Sequence, residues 1–147
     1  GGGGRHLEDN QNKIGIDIAL LRGRMQAEQP NRSSLYDVKH DLGGIVEVEF
    51  ADQFRVLAHS GNHPARTRNA GNIALLALGA RLGLLPPDLA SAVADAYREY
   101  RRLQHQVRLQ GATEARVEAL PQADRRAVVA ALWQYVFGSA RSGGEIG

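Results

Sequence analysis

The sequence contains no cysteine, so disulfide bonds, thiolate metal ligands and cysteine nucleophiles are all excluded. Aromatic residues make up only 5% of the chain, and none alternates with basic residues to form a surface on which bases could stack. Neither charge dominates, because 18 basic and 16 acidic side chains leave a net charge of +2. This balance is not typical of a general polyanion binder, and we expect no nucleic-acid partner.

Long hydrophobic runs are also missing. No apolar stretch approaches the ~18–20 residues of a membrane-spanning helix, and the amino end lacks the hydrophobic segment of a signal peptide. We therefore expect a soluble, cytoplasmic protein with no membrane contact. At 147 residues the chain is long enough to form one domain around a core of its own.

Apolar residues recur at helical spacing along most of the chain and predict an all-α fold, a single-domain bundle of about five to six helices. We expect residues 1–13 to be a flexible amino-terminal segment, residues 14–138 to form the bundle and residues 139–147 to be a disordered tail. The clearest pattern alternates spacings of four and three over Leu89, Val93, Ala96, Tyr100, Leu103 and Val107. It predicts a long helix from about Pro87 to Gly111.

Two further helices are predicted before this long one. The first covers residues 14–29 and leaves Arg22 and Arg24 on its solvent side. Another begins with Asn69 or Asn72 as its cap. It ends at Gly83 and is apolar over much of its circumference, which is typical of a central position in a bundle.

The carboxy-terminal part predicts one more full helix. It begins near Asp124, faces the core with Leu132 among others, places Trp133 at the edge of that apolar face and ends at Gly138. The segment TEARVEAL, residues 113–120, predicts a short helical turn before it.

The stretch over residues 36–54, YDVKHDLGGIVEVEFADQF, is the strongest candidate for function. Apolar residues alternate over residues 45–50, which suits a strand. A longer repeat at spacings of four, four and three includes Val46, Phe50, Phe54 and Leu57, and it continues where the alternation stops. We therefore predict a helix from about Gly44 to His59, preceded by a loop that contains glycine.

Charged residues surround the glycine pair of this loop. Two adjacent glycines permit positive φ or a close approach to a partner, and a lysine and backbone amides just before a helix can hold a phosphate or a carboxylate. The candidate nucleotide- or partner-contacting residues are Lys39, Asp41, Gly43, Gly44, Glu47 and Glu49. The alternative is a turn whose charges are simply solvated.

Other polar groups are weaker candidates. His59 and His63 have a spacing that can bind zinc on a helix, but Gly61 and Pro64 would break that helix, so we predict no metal site. The basic face of the long helix supplies second-tier contact candidates, Arg101, Arg102 and His105, although such a face, which also carries Gln104, is more often solvated.

Four segments of the chain carry a resemblance to a known family. The stretch DVKHDLGGIVEVEF resembles the D-x-K-x-x-x-GG-(I/L)-x-D-(I/V)-E-F signature of the glutamine synthetase adenylyltransferase family. Three later stretches are similar to the family's carboxy-terminal region and follow in matching order: HPARTRNAGNIALLALGARLGLL, DAYREYRRLQHQVRLQG and RRAVVAALWQYVFG. The likeness runs from about Leu20 to Gly138. Leu42 stands where the family commonly has proline, and Glu47 where it usually has aspartate.

The resemblance implies a fold, a parent enzyme and a set of partners. The chain would be the helical carboxy-terminal domain of a bifunctional enzyme, packed on a nucleotidyltransferase core that lies upstream in the same polypeptide. That core would use ATP and magnesium to transfer AMP to a tyrosine of glutamine synthetase, and glutamine synthetase and a PII-type signal protein would be partners. This chain has no G-S followed by the family's catalytic D-x-D, so we expect no catalytic residue, no cofactor and no activity in this fragment alone.

The resemblance also implies roles for single residues, and two alternatives stay open. Lys39 would contact a phosphate or carboxylate, Gly43 and Gly44 would set the turn, and Glu47 and Glu49 would hold the loop or reach toward the metal site of the whole enzyme. In one alternative the domain only docks glutamine synthetase or the PII-type protein. In the other it belongs to a PII uridylyltransferase, whose N-x-K-x-x-x-GGLRD turn is similar.

Overall fold

The computed structural model describes residues 17, 20, 22–24, 31–59 and 71–145. Its elements in chain order are β1 (Tyr36–Asp37), α1 (Ile45–His59), α2 (Asn72–Arg81), α3 (Pro87–Leu109), β2 (Arg116–Val117), a 3-10 turn (Leu120–Gln122) and α4 (Ala123–Glu145). Residues 17, 20 and 22–24 are helical as well. The predicted all-α class is confirmed, because the sheet consists only of two strands of two residues each.

Helices α1 and α3 each pack against the other three helices of the bundle. The largest fully buried side chains are Trp133, Tyr100 and Phe137. The ring centroid of Phe137 lies 4.4 Å from that of Trp133 and 5.0 Å from that of Phe54 on α1. These aromatic rings join α4 to α1, and Tyr100 brings α3 into the same core.

The positions of α1 and α3 agree closely with the sequence. Helix α1 covers almost the range predicted from its four-residue spacing, and α3 buries Val93, Ala96 and Tyr100 of the predicted apolar face. Helix α2 begins after Gly71, which is its N-cap, so Asn72 lies inside the helix rather than capping it. Gly83 and Gly111 follow the ends of α2 and α3, as predicted.

Three predictions about the carboxy-terminal half were wrong. Trp133 lies in the core and is 1% exposed, because α4 packs against both α1 and α3 and so buries a wider arc than one stripe. Helix α4 also continues past Gly138 to Glu145, since a glycine weakens a helix by only about 1 kcal/mol and no proline follows to stop it. Residues 116–117 of the predicted helical turn form strand β2 instead.

Strand β2 supplies hydrogen bonds that the loop before α1 needs. It pairs antiparallel with β1, with Tyr36 opposite Val117 and Asp37 opposite Arg116. The amide of the next residue, Val38, donates to the Ala115 carbonyl at 2.9 Å. Because the backbone groups of a buried segment must find partners, this pairing fixes the entry to the glycine turn.

Several predictions fall on residues outside the described ranges. These are the apolar stripe of the first helix, at Ile14, Ile18, Leu21 and Met25, as well as Asn69, His63 and the flexible segment 1–13. The division into segment, bundle and tail stays a prediction. No helix in the described part of the chain combines the length and the apolar composition needed to cross a membrane.

Helix α1 also carries a buried acid. Asp52 is 0% exposed, and neither of its carboxylate oxygens has a hydrogen-bond partner among the residues described. Burial raises the pKa of Asp52 from 3.8 to about 7. The folded protein therefore holds this proton at pH values where the unfolded chain has lost it, and stability falls as pH rises through the interval between the two pKa values.

We expect Asp52→Asn to remove much of this pH dependence. Urea unfolding at several pH values between about 4 and 7 measures it, because each unit of pKa difference is worth about 1.4 kcal/mol. The free energy of unfolding of the wild-type chain should fall by a few kcal/mol over this range, at about 1.4 kcal/mol per pH unit. That of the variant should fall clearly less. Asp88→Asn, at an exposed position on α3, is the control and should keep the slope. Equal slopes in all three proteins would assign the pH dependence to other groups.

Candidate functional site

The loop between β1 and α1 is shaped by two carboxylates. Asp37 accepts hydrogen bonds from the backbone amides of Lys39, at 2.9 Å, and His40, at 3.0 Å. Asp41 accepts from the Asp37 amide at 2.9 Å and from the side-chain amide of Asn31 at 2.7 Å. Asp41, a candidate contact residue, thus holds the two ends of the loop together.

The glycine pair lets this loop lie directly against α4. Gly43 is buried and has a φ of +84°, and a Cβ on it would come within 3.0 Å of the Arg126 backbone. A Cβ on Gly44 would lie 2.5 Å from the Val38 carbonyl oxygen and 3.0 Å from that of Asp41. The first glycine is therefore required by backbone conformation and by the contact with α4, and the second by the tightness of the turn itself.

Glu47, in the first turn of α1, connects the loop to two other parts of the chain. It is 4% exposed, and its Oε1 accepts a hydrogen bond of 2.5 Å from the Gly43 amide. Its Oε2 forms an ion pair with Arg22. The Arg22 guanidinium lies over the Trp133 ring, 4.4 Å from the centroid, in the arrangement of a cation–π contact.

The prediction that Arg22 is solvated was therefore wrong. Its side chain is 14% exposed and lies between Glu47 and Trp133. The spacing of the first helix places Arg22 off that helix's apolar stripe, but it does not reveal that a carboxylate and an aromatic ring cover this side. Arg24 is exposed, as predicted.

Lys39 lies on the turn with its carbonyl bonded into the start of α1. That carbonyl accepts a hydrogen bond of 3.0 Å from the Val46 amide, and the residue is half-buried. Within the described ranges its ammonium makes no hydrogen bond or ion pair. Lys39 is thus a positive charge held on an ordered turn.

Glu49 belongs to a separate cluster. Two positions apart on a helix correspond to about 200° of rotation, so Glu49 points away from Glu47. Its Oε2 accepts a hydrogen bond from the side-chain amide of Asn72 at 3.3 Å, and the same amide donates to the Tyr97 hydroxyl at 3.3 Å. Burial raises the pKa of the Tyr97 hydroxyl, and the Glu49 carboxylate raises it further. The cluster ties α1 to α2 and α3.

The second-tier candidates on α3 are exposed, and the contacts of its arginines stay within the helix. Arg102 pairs with Glu99 at 2.5 Å, and Arg101 donates to Gln104 at 3.2 Å. Gln104 is 3% exposed, although the sequence placed it on the solvent side. His105 is also exposed. None of these contacts brings the basic face of α3 to the glycine turn.

The donor set at the turn does not fit a magnesium ion. Both oxygens of Glu47 are engaged, by an amide and by a guanidinium, and Glu49 lies on the other side of α1. No group of three histidine, aspartate or glutamate side chains in the described part of the chain is arranged to hold a metal. The turn can hold an anion or a partner's polar group, but it offers no carboxylate cluster.

A cleft of about 400 Å³ opens between the glycine turn and α4. Arg22, Gly43 and Glu47 line one side, and Arg126, Ala127 and Trp133 of α4 line the other. The Arg126 Nε donates to the Leu42 carbonyl at 3.3 Å. Sequence reasoning did not find Arg22, Arg126 or Trp133, because their partners lie far away along the chain.

Comparison with known proteins gives one family model and several similar relatives. The family model described as GlnD PII-uridylyltransferase matches residues 19–145. The chain is 52% identical over 120 residues to the bifunctional glutamine synthetase adenylyltransferase/adenylyl-removing enzyme of Bordetella bronchiseptica, which covers 82% of this chain and 13% of that protein. Proteins of the same name from Burkholderia mallei and Ralstonia nicotianae are 48% and 50% identical over 123 residues. Each of these two matches covers 84% of this chain and 13% of the relative. The chain thus spans 13% of the length of these relatives.

Gly44→Ala should destabilise the fold by about 1–3 kcal/mol, because the new methyl group meets backbone atoms that cannot rotate away. Thermal or urea unfolding measures the loss. Gly23→Ala is the matched control, since a Cβ there meets nothing within 4 Å, and alanine in a helix is up to about 1 kcal/mol better than glycine. A Gly44→Ala protein as stable as the control would show that the turn can relax.

Glu47→Gln should cost up to about 3–5 kcal/mol, because it leaves the guanidinium of Arg22 half-buried without its counter-charge. The double variant Arg22→Met/Glu47→Gln should recover part of that loss. Asp95→Asn removes the partner of Arg98 in an exposed pair on α3, and it should cost less than about 1 kcal/mol. Chemical denaturation compares the three variants with the unsubstituted chain, and a double variant no more stable than Glu47→Gln would contradict the coupling.

Proposed function

Because the chain belongs to the GlnD PII-uridylyltransferase family, we propose that it is the helical carboxy-terminal domain of a bifunctional glutamine synthetase adenylyltransferase/adenylyl-removing enzyme. In this proposal it packs on a nucleotidyltransferase core of the same polypeptide, which transfers AMP from ATP to a tyrosine of glutamine synthetase. The sequence has no G-S turn followed by D-x-D, so this part of the enzyme would not transfer AMP by itself.

The arrangement of charges on the turn that carries Lys39 is the observation that most supports a role of this domain near the nucleotide. The loop's own backbone amides donate hydrogen bonds to the carboxylates of Asp37, Asp41 and Glu47. The ammonium of Lys39 lies on the same turn and has no partner in the described ranges. An ammonium on a preformed turn loses little conformational freedom on binding. We assign Lys39 the role of contacting a phosphate or carboxylate across the domain boundary.

The other candidate residues would then support this contact. Gly43 and Gly44 allow the turn to lie on α4, Asp41 closes its base, and Glu47 fixes it to Arg22. Glu49 would act by holding α1 to α2 and α3. Magnesium chemistry would belong to carboxylates of the core, since the residues at the turn do not supply a ligand set.

One alternative has a specific observation in its favour. The matching family model is described by PII-uridylyltransferase, which would make the parent an enzyme that modifies a PII-type protein. The names of relatives at 48–52% identity favour the adenylyltransferase. A purely docking role, toward glutamine synthetase or the PII-type signal protein, would use exposed groups such as Arg101 and His105 instead of the turn.

Lys39→Ala in the full-length parent enzyme tests the proposal. We expect at least about a tenfold loss in nucleotide affinity or in the rate of AMP transfer, because hydrogen bonds to a charged group contribute about 1.5–3 kcal/mol. Lys39→Arg should retain part of the function, and Arg108→Ala, at an exposed position on α3, should retain all of it. The docking role would be favoured if Lys39→Ala weakens the binding of glutamine synthetase but leaves nucleotide affinity unchanged. The rate of AMP transfer to a peptide-sized acceptor would then also be unchanged.

A further inference from the structure

The cleft between the glycine turn and α4 contains an arginine with unused donors. Arg126 stacks its guanidinium over the Tyr36 ring, 4.5 Å from the centroid, and uses its Nε for the Leu42 carbonyl. Its two terminal nitrogens form no hydrogen bond or ion pair with any residue that the structure describes. Stacking fixes the plane of the guanidinium, so these donors are held ready for a ligand.

A buried donor lies in the same cleft. Trp133 is 1% exposed and lines the cleft, and its indole Nε1–H is buried without an acceptor among the described residues. Buried polar groups in folded proteins almost always have a partner, so an exception requires an explanation. Because Trp133 forms part of the wall of the cleft, its ring reports on a group that enters there.

The charge of the cleft favours an anion. Its charged side chains are Arg22, Arg126 and Glu47, and the carboxylate of Glu47 is already neutralised by its ion pair with Arg22. The net charge is therefore positive and is centred on Arg126. Most of the other lining residues are small, among them Gly43, Ala127 and Ala130, so there is room for a compact group.

We propose that this cleft binds a small anion through a phosphate or carboxylate group, with the terminal nitrogens of Arg126 as its donors. Guanidinium groups bind both kinds of oxyanion, and two parallel N–H donors give a directional contact. The site does not include Lys39. It uses only residues of this chain, so it does not depend on the proposed function, which requires a nucleotidyltransferase core.

Trp133 itself reports on binding, because it is the only tryptophan in the sequence. The chain is titrated with sodium phosphate, and separately with sodium acetate, at constant ionic strength. The indole N–H resonance and the tryptophan emission should both change and saturate as the anion fills the cleft beside the ring. Saturation by phosphate alone or by acetate alone identifies which oxyanion the cleft prefers. A response that only rises in proportion to concentration for both salts would overturn the proposal.

Two variants separate binding from folding. Arg126→Gln should weaken binding at least about tenfold, as expected for the loss of charge-assisted hydrogen bonds, whereas Arg108→Gln on the exposed face of α3 should not change it. Ala127→Leu fills the cleft from an exposed helical position without removing a charge, and it should abolish saturation while the helical circular dichroism stays the same. Wild-type affinity in folded Arg126→Gln and Ala127→Leu proteins would refute the assignment.

Discussion

The carboxylate of Glu47 is the interaction on which the geometry of the candidate site depends. A buried carboxylate is stable only when it is paired and hydrogen-bonded, and Glu47 meets both conditions with groups from different parts of the chain. The Gly43 amide comes from the turn, and the guanidinium of Arg22 comes from the helical segment before it. Because Arg22 in turn lies on Trp133, one side chain relates the turn, the first helical segment and α4.

This arrangement changes the meaning of the acidic residues in the central stretch. Two glutamates so close in sequence, beside a glycine turn, suggest a pair that acts together. In the folded chain Glu47 faces the turn and α4, while Glu49 faces Asn72 and Tyr97. They stabilise two opposite sides of α1. The charged groups that the turn and its cleft offer to a ligand are therefore the cations Lys39 and Arg126.

Local patterns predicted most of the fold. Helices α1 and α3 follow from apolar spacing, and the ends of α2 and α3 follow from Gly83 and Gly111. These features depend on residues that are near neighbours along the chain. Strand β2 could not be predicted in this way, because two residues are too few for an alternating pattern, and its partner β1 precedes α1, α2 and α3 in the chain. The end of helix α4 was also predicted wrongly. The helix extends past Gly138, because one glycine alone does not end a helix.

The candidate site was predicted less completely than the fold. The glycine turn and its charges are visible in the sequence, but Arg22, Arg126 and Trp133 are not, because periodicity identifies a face without naming what covers it. Arg126 meets the turn only because α4 returns to it, and Arg22 leaves solvent only because Glu47 and Trp133 are there. Such contacts are a property of the tertiary arrangement.

The pairing of β1 with β2 has a consequence for the order in which the chain folds. It joins Tyr36 to Val117, so α1, α2 and α3 all lie within the segment that this contact closes. Closing so long a segment carries an entropic cost that four paired residues do not offset by themselves. We therefore expect the helices to associate first and the loop that presents Lys39 to become ordered late.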